Sequence, residues 1–205
     1  MALTELDIRE EREGNRKVAV LTGVSGSGKD YLISQLLKAD PQIGQRLSIV
    51  NFGEALFQRV KGILEVGSRD DLGTKLTQEQ IMALIPQVLA EVKEPAIINT
   101  HVVYEQRGSL QINPQFHQYP LVDTYVFVWS SPELITQWRK QEERRRAIQT
   151  PEEIMLSQEI GFEVTRILAR YYGRRFLSIC NRPDNLGQNV AHLLEAITEM
   201  INPLC

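Results

Sequence analysis

The chain has 205 residues, 42% hydrophobic and 24% charged, which is enough to bury a sizeable core and too apolar for a disordered protein. Its formal net charge of −3 supplies no global drive toward nucleic acid or an anionic membrane. No apolar run approaches the ~20 residues that span a bilayer, and the two cysteines, Cys180 and Cys205, lack metal-ligand spacing and suit free thiols in a reducing compartment.

Residues 1–16 include the mixed-charge run Glu5 to Gly14, without an apolar signal core, and read as a charged arm. Val18 to Thr22 form a short apolar run of the kind buried in a parallel sheet. Gly23-Val24-Ser25-Gly26-Ser27-Gly28-Lys29-Asp30 then spells G-x-x-x-x-G-K, with Asp where a phosphate loop usually has Ser or Thr. Leu32, Ile33, Leu36 and Leu37 recur at helical spacing behind it, and Asp40-Pro41 should stop that helix. Leu47 to Phe52 reads as a second strand. Gly53 follows, and then Ala55, Leu56, Val60, Ile63 and Leu64 outline a short amphipathic helix. A polar connector, Gly67 to Gly73, precedes a long helix opened by a Thr77–Gln80 capping box, with the stripe Ile81, Leu84, Ile85, Val88, Leu89 and Val92 and an expected kink at Pro86.

Ala96 to Val103 reads as the third strand, residues 104–120 as a loop, and Asp123 to Trp129 as the fourth strand. Ser131-Pro132-Glu133 starts a helix that runs into the basic stretch Arg139 to Arg146. Thr150-Pro151-Glu152-Glu153 is a second capping box, opening a helix that should reach Tyr172-Gly173. Phe176 to Cys180 is the fifth strand, and Val190, Leu193, Leu194, Ile197 and Ile201 mark a last helix. Strands alternating with helices predict an α/β fold whose parallel sheet has right-handed crossovers. Ligands in such sheets bind beyond the carboxyl ends of the strands, so the residues to watch are 23–30, 51–54, 99–101 and 130 onward.

The strand–glycine turn–helix context gives the first of these a mechanism. Glycines 23, 26 and 28 let the backbone of the loop, with Ser25 and Ser27, curl its N–H groups around phosphate oxygens. The helix N-terminus adds partial positive charge, and Lys29 can reach the outer phosphates as a mobile point charge. Asp30 is a candidate Mg²⁺ ligand, because carboxylate oxygens suit that cation; it also suits the first turn of a helix without any metal. Arg139, Lys140, Arg144, Arg145 and Arg146 gather positive charge of the kind phosphoryl transfer needs, although each alone also fits a solvated helix face laced with Glu142 and Glu143. Arg69 can grip a phosphate bidentately or pair with Asp70 or Asp71. His101 can polarise a substrate or be satisfied by backbone, and Phe52 can stack on a base or pack in the core.

Taken in order and spacing, the phosphate loop, Val50-Asn-Phe-Gly53, Ser68-Arg69-Asp70-Asp71, Ile98-Asn-Thr-His101 and the basic helix closed by Thr-Pro-Glu-Glu give the chain its resemblance. From about Val18 to the last helix it resembles the archaeal-type adenylate kinases and, more broadly, the nucleoside monophosphate kinases. The resemblance implies a three-layer P-loop NTPase fold with a five-stranded parallel sheet, spanning 17–205 as one domain. Within it a helical lid is expected at about 139–150 and an acceptor-binding region at about 52–94. It implies transfer of the γ-phosphoryl group of ATP to a nucleoside monophosphate with Mg²⁺, in the cytoplasm, with no membrane or nucleic-acid partner. On this resemblance Lys29, Arg139 and Arg145 are catalytic, the loop and Trp138 hold ATP, and Phe52, Gly53, Arg69 and His101 face the acceptor. Trp138 stands where these kinases tend to set an arginine against the donor adenine, and packing in the core is its other reading. The chain departs from the family at Asp30, at Asn99, where the family has Asp beside the metal, and in lacking an arginine in the first half of the helix from Pro151, Arg166 being the nearest. A small-molecule kinase of the same fold and a nucleotide-binding protein with decayed catalysis are the alternative readings.

Overall fold

The computed structural model describes residues 17–61, 67–68, 71–106, 109–112, 121–141 and 149–202. Its strands are β1 (Val18–Thr22), β2 (Ser48–Asn51), β3 (Ala96–Asn99), β4 (Val103–Gln106), β5 (Ser109–Ile112), β6 (Val122–Trp129) and β7 (Arg175–Cys180). Its helices are α1 (Lys29–Ala39), α2 (Pro41–Arg46), α3 (Phe52–Val60), α4 (Leu72–Lys75), α5 (Gln78–Ala90), α6 (Pro132–Gln141), α7 (Pro151–Tyr171) and α8 (Leu186–Ile201).

Five strands form one parallel sheet in the order β2-β3-β1-β6-β7. The central strand, β1, is buried along its whole length, and its alternation divides the core in two. Val18 and Val20 join Ile98 and Tyr125 on the face covered by Phe52 and Leu56 of α3 and Ile85 and Val88 of α5. Ala19 and Leu21 join Ile97 and Val126 on the opposite face, under Leu32 and Leu36 of α1 and Leu193 and Ile197 of α8. The result is the expected three-layer α/β arrangement with helices on both faces of a parallel sheet. Among the described residues no helix is long and apolar enough to cross a membrane.

Both capping boxes form. Thr77 Oγ1 accepts from Gln80 N at 3.2 Å while Gln80 Oε1 accepts from Thr77 N at 2.9 Å. At α7, Thr150 Oγ1 accepts from Glu153 N at 3.2 Å and Glu153 Oε2 accepts from Thr150 N at 2.7 Å. Thr150→Ala should therefore cost about 1 kcal/mol, read as a lower denaturant midpoint at unchanged m-value. Pro86 lies inside α5, which continues past it to Ala90. Phe52, expected to close the second strand, instead opens α3 behind an Asn51 cap.

Two local expectations are corrected. Asp40-Pro41 ends α1 but also starts α2: the Asp40 side chain accepts from Gln42 N and Ile43 N, and Pro41 takes a first-turn position. The same dipeptide is both a stop and a start signal. Residues 104–120, expected as a loop, contain a hairpin in which β4 and β5 pair antiparallel, Val103 opposite Ile112 and Tyr104 opposite Gln111. The third strand ends at Asn99 because the chain is then tied back to β1: Thr100 N donates to Leu21 O at 3.0 Å and Val102 N to Thr22 Oγ1 at 2.9 Å. Val103 thus belongs to a new element, and a two-residue spacer ending in Gly108 separates its strand from the next, which is hairpin spacing.

Candidate nucleotide site

The glycine-rich segment joins β1 to α1, and three of its residues take backbone conformations that L side chains rarely adopt: Gly23 at φ 141°, Gly26 at φ 85° and Gly28 at φ 82°. Space is short as well. A Cβ on Gly23 would lie 2.5 Å from the Val128 carbonyl oxygen, and one on Gly28 would lie 2.2 Å from Asn181 Nδ2 and 3.4 Å from Trp138 Cζ3. No side chain caps α1 at Gly28, so the amide end of the helix, with its partial positive charge, is open to an anion.

Lys29 is only 6% exposed. Its ammonium folds onto the loop, donating to Gly23 O at 3.0 Å and Val24 O at 2.9 Å, with Ser27 Oγ at 3.4 Å. The positive charge is therefore stored at the loop against carbonyl dipoles, where the sequence suggested a mobile side chain. Gly23 O has a second donor, His101 Nδ1 at 2.7 Å. A carbonyl only accepts, so that nitrogen carries the proton. His101, from the segment after β3, is thus tied through Nδ1 to the loop.

Asp30 is exposed in the first turn of α1. Asn99, 6% exposed at the end of β3, donates its Nδ2 to Asp30 Oδ1 at 2.6 Å. Among the described residues no group of three or more His, Cys, Asp and Glu could hold a metal. A single oriented carboxylate beside a phosphate loop nevertheless fits Mg²⁺, which keeps several waters and is bound by one or two carboxylates plus substrate phosphates.

Arg139, near the end of α6, lies across the loop. Its Nε and Nη2 donate to Ser25 O at 3.0 and 2.7 Å, and its Nη1 donates to Gln149 Oε1 at 2.7 Å. Its Cγ sits 3.1 Å from where a Cβ on Gly26 would be, so a glycine there lets the arginine approach. Trp138, half-buried, sets the edge of its indole beside Gly28. Phe52 is 2% exposed inside the core, which takes its ring away from the surface where a base would stack; packing fixes its place. Gly53 is the second residue of α3. Ahead of α4, Ser68 N–H and Gly67 N–H donate to the Asp71 carboxylate at 3.0 and 2.8 Å and hold its pKa below the usual carboxylate value. Arg69 and Arg145, with most of the expected lid, lie outside the described residues.

The sequence reading missed part of the site. Asn181, the residue after β7 and 3% exposed, donates its side-chain amide to Ser27 O at 3.0 Å. Ser130, after β6, places Oγ 3.0 Å from the same oxygen. Gln158, fully buried on α7, brackets the Ser130 backbone, accepting from its N at 3.0 Å and donating to its O at 2.9 Å. Applying the strand-end rule to the fifth strand would have found Asn181. Nothing in the pattern around Gln158 marks it apart from a surface glutamine.

Solved structures share the fold of this chain. A shikimate kinase from Bacteroides thetaiotaomicron superposes with a TM-score of 0.56 at 17% identity, covering 88% of this chain and 98% of its own. A shikimate kinase from Acinetobacter baumannii in complex with shikimate gives 0.56 at 14% identity, covering 96% and 99%. At such identities the likeness is one of fold, and it is the P-loop kinase fold. A family model described as an AAA domain matches residues 22–155, from the end of β1 into α7, and the chain belongs to that family of P-loop domains.

Proposed function

We propose that the protein is an ATP-dependent phosphotransferase that moves the γ-phosphoryl group to a small acceptor, and that the acceptor is a nucleoside monophosphate. The observation that carries the first part is the loop at 23–30: positive-φ glycines, an uncapped helix amide end and a lysine whose charge is already held at the loop. Such a loop binds phosphates by backbone N–H groups and leaves Lys29 to exchange its carbonyl partners for phosphate oxygens. The motif order from Val50 to Glu153 supports the monophosphate acceptor.

In this reading Lys29 and the amide end of α1 neutralise charge on the donor phosphates, while Arg139, fixed over Ser25, is poised beside them. Arg145 and the rest of residues 139–150 close over the site as a lid that excludes water, Arg69 grips the acceptor phosphate, and Trp138 stacks on the donor base. Mg²⁺, when bound, adds charge neutralisation and a template for the phosphate oxygens; Asp30 would hold it, directly or through water, with Asn99 orienting the carboxylate. The reading assigns the protein to the cytoplasm, where ATP and reduced thiols coincide.

A coupled assay of ADP release tests it, run across nucleoside monophosphates and shikimate, the ligand of one of the similar structures. Acceptor-dependent ADP with a monophosphate is the expected result. Turnover with shikimate alone moves the protein to the small-molecule kinases, and ATP binding without turnover of any acceptor marks decayed catalysis. In the same assay Asp30→Ala should raise the Mg²⁺ concentration for half-maximal rate by about tenfold, the scale of losing one oriented ligand. Asp30→Ser should lose less, and Asp30→Thr with Asn99→Asp should retain substantial activity. An unchanged Mg²⁺ dependence in Asp30→Ala would leave Asp30 as a helix-end charge only.

A further inference from the structure

Ser27 is fully buried, and its carbonyl oxygen receives two side chains, each the first residue past a strand: Asn181 Nδ2 at 3.0 Å and Ser130 Oγ at 3.0 Å. A trans peptide group points its C=O and N–H in opposite directions. The Ser27 carbonyl is drawn toward the ends of β6 and β7, so the N–H of the next residue, Gly28, is directed away from them.

The two donors are unequal. A serine hydroxyl has one proton, and Ser130 Oγ lies within 2.9 to 3.2 Å of three carbonyls, those of Trp129, Ser27 and Asn181. The Asn181 amide is a fixed donor. Its own backbone N donates to Trp129 O at 2.7 Å, its backbone carbonyl lies within reach of Ser130 Oγ, and it is 3% exposed. Its Nδ2 also fills the space a Cβ on Gly28 would take, at 2.2 Å. Gln158 supports the arrangement from behind by holding the Ser130 backbone at both its N and its O.

We propose that Asn181 is a positioning residue for the phosphate loop: by holding the Ser27 carbonyl it aims the Gly28 N–H at the phosphate chain of the nucleotide. The inference rests on the reading of the loop as a nucleotide site. It assigns Asn181 no contact with the base, so its effect follows the phosphates alone.

Direct titration of wild type, Asn181→Ala, Asn181→Asp and Ser130→Ala with ATP and with inorganic tripolyphosphate tests this, together with the Gly28 amide resonance of the ¹⁵N-labelled protein. Asn181→Ala should weaken both probes about tenfold, the size of one charge-assisted hydrogen bond, and displace the Gly28 resonance before any ligand is added. Asn181→Asp, which keeps the volume but offers no donor to the Ser27 carbonyl, should weaken both at least as much and reports should the alanine variant fail to fold. Ser130→Ala should lose roughly threefold or less, since its single proton is divided. A purely structural role would lower the melting temperature and leave affinity per folded molecule and the Gly28 resonance unchanged, overturning the proposal. Loss of ATP affinity with tripolyphosphate unaffected would also overturn it, by placing Asn181 at the base. If wild type bound neither probe, the nucleotide reading would fail and the proposal with it; if wild type bound both and the variants matched it, the proposal alone would fail.

Discussion

Lys29→Met should lower kcat/KM for phosphoryl transfer by about 10²–10³-fold or more, the cost of removing one preorganised charge from a transferring group, while the protein still folds. Methionine keeps most of the buried stem, so the loss reports the ammonium. The carbonyls that the ammonium leaves behind keep other donors. Gly23 O retains His101 Nδ1 at 2.7 Å, and Val24 O retains Ser27 N at 3.2 Å. Neither carbonyl is orphaned by the change, and only the long 3.4 Å contact to Ser27 Oγ is lost, so the penalty for an unsatisfied group stays small. A coupled assay beside a thermal melt separates the two effects. Wild-type turnover in this variant would show that residues 23–30 are not where phosphate is handled.

Gly23→Ala should be the most damaging of the loop's glycine substitutions for stability. Its Cβ would meet the Val128 carbonyl oxygen at 2.5 Å and Ser27 Oγ at 3.0 Å, at φ 141°. Val128 O is backbone of the buried β6, beside the central strand, and has little room to retreat. Strain and overlap together should cost about 3 kcal/mol or more. For a chain of this size that is a fall of roughly 10 °C in melting temperature. Gly28→Ala meets a side chain, Asn181 Nδ2, which can move; it should cost less stability and more nucleotide affinity. Gly173→Ala is the control: at φ 60° with nothing within 4 Å of a new Cβ, it should cost only about 1 kcal/mol. Equal melting temperatures for Gly23→Ala and Gly173→Ala would contradict the account of the loop's fit against β6.

What was legible in the sequence is what depends on neighbours in the chain. The strand–glycine–lysine–helix order, the two capping boxes and the apolar run of β1 are local patterns, and each reports a backbone requirement directly. The hairpin β4–β5 escaped because its strands are short and follow a third strand whose end is set by hydrogen bonds to β1. Arg139 is marked by its place in the basic stretch and by the resemblance; that its partner is Ser25 O, 114 positions away, depends on tertiary packing. The same holds for Asn181, whose bond to Ser27 spans 154 positions, and for His101, whose protonated nitrogen serves a loop carbonyl. Phe52 shows the converse: a motif position beside a strand end can be spent on the core.

The Arg139–Gln149 hydrogen bond, 2.7 Å long, has a consequence for how the protein can be altered. It ties a residue near the end of α6 to the residue just before the Thr150 cap of α7, so the two flanks of the intervening stretch are held together. For a stretch whose ends are already joined, doubling the length costs only about 0.6 kcal/mol. Insertions, deletions or grafted sequences between residues 142 and 148 should therefore be tolerated, with Arg139 still seated on Ser25. As far as the fold is concerned, this stretch is thus free to diversify while Arg139 keeps its seat on Ser25, and chimeras exchanging only this stretch separate what the fold needs from what turnover needs.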